Sequence, residues 1–503
     1  MTRAQSADMN TAAVIVSLQL FIQTAAATYS LVCYFSNMSR YRTGVGKYLP
    51  DNVDPVLCTH LVYSYAIIDH ENKLAESEWN EKNVYRSFTR LKQRNSLLKT
   101  LLSVRVNEDR ARFSIMASSA ERRQRFVRSS VTFLRTHWFD GLDLDVDQSG
   151  SDGGSSDDVQ RLVLLCKELS EAFRTESDGD GRLVLSAAAS PSSPVNDRHN
   201  DLAEISQFLD FISVKTFDFV SGEDAVTAHH SPLYSHNASS IDGVVTSWLQ
   251  RGVPAEKLLL GFPAHARSFT LSSTADGIGA PVSGPASPGP YTQQSGVWAY
   301  YETCSFLRGT SARWLDTQKV PFAVKGSQWV GFDNQRSYST KVDYLRSRRL
   351  GGAAVWTLDM DDFSGEFCGE GRYPLISRLK SELRDELTTK ETPLSSPPSP
   401  SVSSSTGGTP PSLTPLPSHT GCLLNITLEL PISRFCTRRA DGLYRSWARA
   451  DTIFRCVRRK TYVTRCHGEE TQQGSSTEAA TASPTVVTVS LTLSHVLGVW
   501  TIS

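Results

Sequence analysis

Phe139-Asp140-Gly141-Leu142-Asp143-Leu144-Asp145-Val146-Asp147-Gln148 packs four carboxylates into the eight positions 140–147 and sets single apolar residues between the last three. Side chains of a β-strand alternate between faces, so the stretch predicts a strand with Asp143, Asp145 and Asp147 on one face and Leu142, Leu144 and Val146 on the other. Carboxylates crowded in a row repel one another, and a fold keeps such a row where ionisation is tuned or a cation is held. A solvated edge strand is the plain alternative. Asp143, Asp145 and Asp147 also fit the first three ligand positions of a calcium-binding EF-hand loop, but that loop needs Gly at position six and Glu at position twelve. Those places hold Gln148 and Gly154, so no metal ligand set is assigned and no cofactor is expected.

The chain has 503 residues, with 52 basic against 52 acidic side chains, which gives no polycationic signature for nucleic acid. Residues 1–27 read as a secretory signal: Arg3, an apolar run from Ala12 to Ile22, then Ala25-Ala26-Ala27. Secretion makes the nine cysteines candidates for disulfides, although Cys166 lies in an apolar helical pattern and reads as a buried free thiol. Asn37, Asn237 and Asn425 each open an N-glycosylation triplet.

Working outward from the acidic stretch, short apolar strands alternate with amphipathic helices. Strands are read at 31–35, 60–67, 100–106, 141–147, 183–188, 211–217, 258–262 and 353–358, with helices such as 122–136 and 158–176 between them. Eight strands with crossover helices predict an α/β fold, a (β/α)8 TIM barrel over 28–385, whose functional side chains sit at the C-terminal strand ends, where Asp147 falls. The connection from about 264 to 334, between strands seven and eight, is too long for a plain loop and is read as a small α+β insertion.

The acidic stretch resembles the D-G-x-D-x-D-x-E signature of family 18 glycoside hydrolases, the chitinases and chitinase-like lectins. Further segments resemble vertebrate-type acidic chitinases in the same order: Cys33-Tyr34-Phe35, Cys58-Thr59-His60-Leu61, Ser231-Pro232-Leu233-Tyr234, Trp298-Ala299-Tyr300-Tyr301 and Trp356 to Phe363. The resemblance implies disulfides Cys33–Cys58 and Cys304–Cys368. It also implies substrate-assisted hydrolysis, an exception to the two-carboxylate scheme, in which a glutamate protonates the glycosidic oxygen while neighbouring aspartates orient the sugar's acetamido group.

On that mapping Asp145 orients, Asp143 is its buried partner and Asp147 stands where the family has its acid glutamate. Trp356, Asp218, Phe217, Tyr34 and Trp298 are placed as substrate-binding residues. The departures are specific. Trp is replaced by Val146 and Met38, the active-site Tyr by Phe217, a further binding Tyr by His265, and the Ser-x-Gly-Gly-Trp of strand three by Ser103-Val104-Arg105-Val106-Asn107. Lys215 stands where the family carries Met, and strand parity points its ammonium at the acidic row as a modifier of its charge. The resemblance therefore implies a lectin for chitin or N-acetylglucosamine-containing oligosaccharides or glycoproteins. A weakened chitinase and a structural surface glycoprotein are the competing classes.

Beyond the barrel, 386–420 is rich in Ser, Thr and Pro and reads as a linker. Residues 421–470, with Cys422, Cys436, Cys456 and Cys466, resemble a degenerate peritrophin-type chitin-binding module with its cysteine pairing open. The end of the chain, 474–503, orders small residues around Ser475, a polar spacer and an apolar run, which reads as a signal for a glycosylphosphatidylinositol (GPI) membrane anchor. A transmembrane helix is the alternative, disfavoured by the short run and its Ser494-His495 interruption. The expected location is extracellular, at the outer cell surface.

Overall fold

The structure is a computed structural model; it describes residues 29–106, 110–146, 156–176, 181–191, 201–221, 224–235 and 239–389, and four strands between 427 and 465. Asp147, Asn237, Asn425 and Ser475 lie outside the described residues, as do the signal, the linker and the tail. The chain divides into two compact units, Met1–Ser395 and Ser396–Ser503.

The strands run in chain order β1 (Ser30–Ser36), β2 (His60–Ile68), β3 (Leu74–Glu76), β4 (Lys99–Arg105), β5 (Gly141–Val146), β6 (Val184–Ala189), β7 (Phe211–Val214) and β8 (Leu258–Pro263). They continue as β9 (His265–Leu271), β10 (Val282–Pro285), β11 (Val297–Ala299), β12 (Arg313–Leu315), β13 (Val320–Lys325), β14 (Gln328–Gly331) and β15 (Gly352–Trp356). The sheet order β1-β15-β8-β7-β6-β5-β4-β2 closes through a parallel β1–β2 pairing, so eight parallel strands form the barrel and β3 is an antiparallel hairpin partner of β2. Parallel strands covered on both faces read as apolar runs. Here the outward side chains, Leu142 and Leu144 among them, join the large core under the helices, while Val32, Val62, Leu101, Ala188, Phe211 and Leu259 fill the barrel.

Strand β5 enters the barrel tightly. A Cβ at Gly141 would lie 2.2 Å from the Val184 carbonyl oxygen, so only glycine lets β5 and β6 approach this closely. The preceding Asp140 accepts hydrogen bonds from the Thr100 backbone N–H (2.7 Å), the Thr100 hydroxyl (3.0 Å) and the Lys92 ammonium (2.9 Å). The first two letters of the acidic motif thus tie strands together at the barrel's N-terminal end.

The long connection between β8 and β15 folds as an antiparallel sheet, β10-β9-β14-β13-β12 with β11 on β9, and the helix Tyr300–Phe306. Tyr300 and Tyr301 start that helix rather than end a strand, because Glu302 Oε2 accepts from the Ala299 N–H at 2.9 Å and caps it. The sixth expected strand, at 211–217, ends early, at Val214, and Asp218 turns the chain with a φ of 57°. Disulfides join Cys33 to Cys58 and Cys304 to Cys368, and Cys166 is a buried free thiol whose pKa burial pushes up to about 12.

Among the described residues no helix is long and apolar enough to cross a membrane. In the second unit, β16 (Thr427–Glu429), β17 (Gly442–Arg445), β18 (Thr452–Val457) and β19 (Lys460–Arg465) form an antiparallel sheet ordered β16-β19-β18-β17.

Candidate functional site

Alternation on β5 turns Asp143 and Asp145 into the barrel, where they are 0% and 1% exposed. Asp143 is in register with Ser103 on β4 and Ser186 on β6, so the three side chains occupy one layer of the interior. Ser186 Oγ donates to Asp143 Oδ1 at 2.7 Å, Ser103 Oγ to Oδ2 at 2.9 Å, and the Tyr34 hydroxyl reaches both oxygens at 3.4 Å. Burial raises the Asp143 pKa to about 6, with the Asp145 charge adding to the rise and the two serines and Lys215 opposing it.

Asp145 meets Lys215. The Lys215 Nζ donates to Asp145 Oδ1 at 2.7 Å, with both side chains almost wholly buried. The same ammonium lies 4.6 Å from the centroid of the Trp356 ring, a cation–π distance. Trp356 packs on Tyr34 at 4.7 Å and approaches Tyr65 at 6.2 Å, and the Arg105 guanidinium covers Tyr65 at 3.9 Å. A small pocket at the mouth of the barrel is lined by Tyr34, Ser213, Lys215, Phe217 and Trp356. Lys215 follows Phe211 and Ser213 in inward parity, one residue past the end of β7, where its N–H still donates to the Ala189 carbonyl at 2.9 Å.

Asp218 begins the second half of the site. Its Oδ1 receives Arg267 Nε at 2.7 Å and lies 3.0 Å from His265 Nε2 and 3.2 Å from His230 Nδ1. Partial burial pushes this carboxyl's pKa up, although the side chain is still 34% exposed, but the His265 charge and the hydrogen bonds from His230, His265 and Arg267 outweigh it and hold the pKa below the usual carboxylate range. Phe217 meets the His265 ring edge-on at 5.6 Å. These groups open onto a cleft of about 490 Å³ lined by Asp218, His265, Arg267, Gln294, Ser295, Val297, Trp356 and Met360, a size that admits a sugar unit.

Among the described residues, Asp218, His230 and His265 are the one group whose atoms converge as metal ligands do. The Arg267 guanidinium already sits on the carboxylate oxygen that a cation would need, so the trio reads as an anchored carboxylate. His230 is delivered by the segment His229–Ser231, which is held from below. His229 Nε2 lies 2.9 Å from the Phe332 carbonyl, and Lys341 Nζ donates to Ser231 Oγ (2.9 Å) and to Asp333 (2.6 Å) in a fully buried ion pair.

The structure therefore brings together Asp143, Asp145, Lys215, Trp356, Tyr34, Phe217 and Asp218. It leaves two sequence expectations outside. Trp298 is 5% exposed, packs on Phe306 at 5.1 Å and donates its ring N–H to the Ser287 carbonyl at 2.9 Å, so its faces are closed to a sugar. Asn37 is 5% exposed, and its amide nitrogen donates to Glu81 at 2.6 Å and Ser77 at 3.2 Å, so the folded chain does not present the atom that glycosylation modifies. Sequence reading missed His230, Arg267 and Tyr65. Arg267 was recoverable, because it lies two residues beyond His265 on β9 and shares its face.

The raised pKa of Asp143 carries a sign. The folded state holds the proton more tightly than the unfolded chain, so this group's contribution to stability is present below about pH 4 and is lost as pH rises through about 6. Relative to Asp143→Asn, the wild type should lose on the order of 3 kcal/mol across that window, read as the difference between two urea-unfolding series. A parallel pH dependence in the two proteins would contradict it.

The family model for glycosyl hydrolases family 18 matches residues 30–361. Mouse chitotriosidase-1 is 40% identical over 448 residues, covering 87% of this chain and 92% of its own, and the oviduct-specific glycoprotein of sheep is 42% identical over 374 residues, covering 73% and 69%. Among solved structures, human YKL-39, described as a pseudo-chitinase with retained chitooligosaccharide binding, superposes with a TM-score of 0.66 at 39% identity over 71% of this chain and 99% of its own. A chitinase from Trichuris suis matches with a TM-score of 0.66 at 33% identity, over 70% and 99%. With the closed barrel, the insertion and the acidic strand at its interior, these matches place the chain in glycoside hydrolase family 18.

Proposed function

We propose that this chain is a chitinase-like lectin, a family 18 barrel that binds chitin or other N-acetylglucosamine-containing glycans and has lost all or nearly all hydrolysis. The Lys215 ammonium, 2.7 Å from Asp145 and 4.6 Å from the Trp356 ring centroid, carries the reading. In substrate-assisted cleavage the carboxylate before the acid must be free to orient an acetamido group. Here a buried cation holds it, and the pair must separate before a sugar can use Asp145. The same cation favours ionised carboxylates nearby, whereas a general acid needs a raised pKa that keeps its proton.

Asp147 adds a second handicap. It is one methylene shorter than a glutamate, which withdraws the carboxyl by about 1–1.5 Å, and a misplacement of about 1 Å can reduce the rate about a hundredfold. Binding is less impaired, because Trp356 keeps a face in the groove and the Asp218 cleft beside it remains open. The chitooligosaccharide binding attributed to YKL-39 supports this division between binding and cleavage. One observation favours the weak-enzyme reading: the Ser103, Ser186 and Tyr34 contacts to Asp143 are all in place.

Two disulfides suit an oxidising, extracytoplasmic compartment, so we read the protein as secreted and held at the outer surface by a GPI anchor. Phosphatidylinositol-specific phospholipase should release the mature protein from cells, and retention after treatment would favour a membrane-spanning tail.

Turnover of N-acetylchitooligosaccharides should be undetectable or orders of magnitude below that of an active relative, while a calorimetric titration detects binding that Trp356→Ala abolishes. Turnover within about tenfold of the relative, or affinity indifferent to Trp356→Ala, would overturn the proposal. The two handicaps should also be separable. Asp147→Glu alone and Lys215→Met alone restore little activity, and together they give more than the product of the single gains. Near-full recovery with Asp147→Glu alone would place the whole loss in the missing methylene.

A further inference from the structure

The other end of the barrel holds a second groove. It lies where the helix Glu81–Thr89 runs into β4 and where the helix Ala120–Thr136 runs into β5, which is the N-terminal face of the strands, away from Trp356. The groove encloses about 740 Å³; its charged lining is Lys82, Arg86, Arg90 and Lys92, beside His137 and Trp138, with no acidic side chain. Lys82 is paired with Glu76 and Lys92 with Asp140. Arg86 and Arg90 are exposed and have no ion-pair partner among the described residues. They stand one helical turn apart, so both guanidiniums face the same side.

Trp138 makes the groove unusual. Its side chain is 75% exposed, and its backbone is left-handed with a φ of 64°, a conformation that bulky residues rarely adopt. An exposed indole gains little from folding, and the backbone beneath it is strained, which points to a role outside stability. Nearby, the pKa of His137 is lowered, chiefly by burial and further by the charges of Lys82 and Arg86. The groove is therefore a positive concavity in which Lys82 and Lys92 are neutralised by Glu76 and Asp140 while Arg86 and Arg90 supply its net charge.

We infer that this groove binds an anionic glycan, a short stretch of sulfated or uronic-acid-bearing sugar, with Trp138 stacked on a sugar face and Arg86 and Arg90 gripping its acidic groups. The guanidinium fork matches the planar oxygens of sulfate and carboxylate, and an indole face matches the apolar C–H surface of a pyranose. A membrane or a nucleic acid would ask for an extended basic stripe, and this chain has a net charge of zero and, among the described residues, two unpaired arginines in one open groove. The site is separate from the chitooligosaccharide groove, so either can fail without the other.

The test is a calorimetric titration of the full chain with a heparin-derived hexasaccharide, repeated with neutral chitohexaose present. Binding should weaken with added salt and be indifferent to chitohexaose. Arg86→Ala and Arg90→Ala should each weaken it about tenfold or more, with the fold unaltered. Trp138→Gly should weaken binding while leaving the thermal midpoint unchanged or higher, because glycine accepts the left-handed backbone. That pairing of effects is not expected of a residue kept for packing. In the wild type, the bound anion should also raise the titration midpoint of the His137 imidazole in NMR spectra. Absence of binding, affinity unchanged in the arginine and tryptophan variants, competition by chitohexaose, or tighter association with anionic lipid vesicles than with the hexasaccharide would each overturn the assignment.

Discussion

A carboxylate inside a closed parallel barrel must find its hydrogen bonds on the neighbouring strands, because water is excluded from the layer it occupies. Asp143 meets that constraint with Ser103 on one side, Ser186 on the other and Tyr34 across the interior. Asp145, one step further along the same strand, is met by the ammonium of Lys215, with the Tyr65 hydroxyl also hydrogen-bonded to it. The two acids sit two residues apart and solve the same problem in different ways. One is shared among neutral donors that still let it take up a proton, and the other is matched to a fixed charge.

That difference organises the mouth of the barrel. Lys215 needs a long side chain to reach Asp145, and its path crosses the face of Trp356. The indole therefore serves at once as a floor for the groove and as a partner for the cation. Asp218 has the opposite arrangement, with its partners Arg267 and His265 on the insertion strand β9 and His230 on the segment that the buried Lys341–Asp333 pair supports. Removing one member of a fully buried pair of this kind costs about 3–5 kcal/mol. The cleft wall is thus joined to the insertion by charge, and the barrel floor by packing.

The barrel was legible because its signal is periodic. Alternation fixed which face of β5 carries acid, and repeated strand and helix patterns fixed the architecture. Parity beyond the end of β7 was enough to turn Lys215 inward. What was not legible depended on contacts between distant segments. The sequence around Asn37 reads as a surface triplet until Glu81 and Ser77 close over its amide. Trp298 reads as a groove aromatic until Ser287 takes its ring N–H. The Asp218 cluster unites residues from three segments: Asp218 and His265 stood out singly in the sequence, the β9 spacing points to Arg267, and His230 arrives only through the fold.

The bonds made by Asp140 and the close approach at Gly141 bear on how such chains are recognised in genomes. Both residues answer to strand assembly at the end of the barrel remote from the sugar, and Asp143 answers to the interior layer above them. A chain that does not cleave still needs Asp140 and Gly141 to assemble these strands. The opening of the acidic motif is consequently a marker of ancestry and foldability. Assigning activity from that opening alone would overcount enzymes.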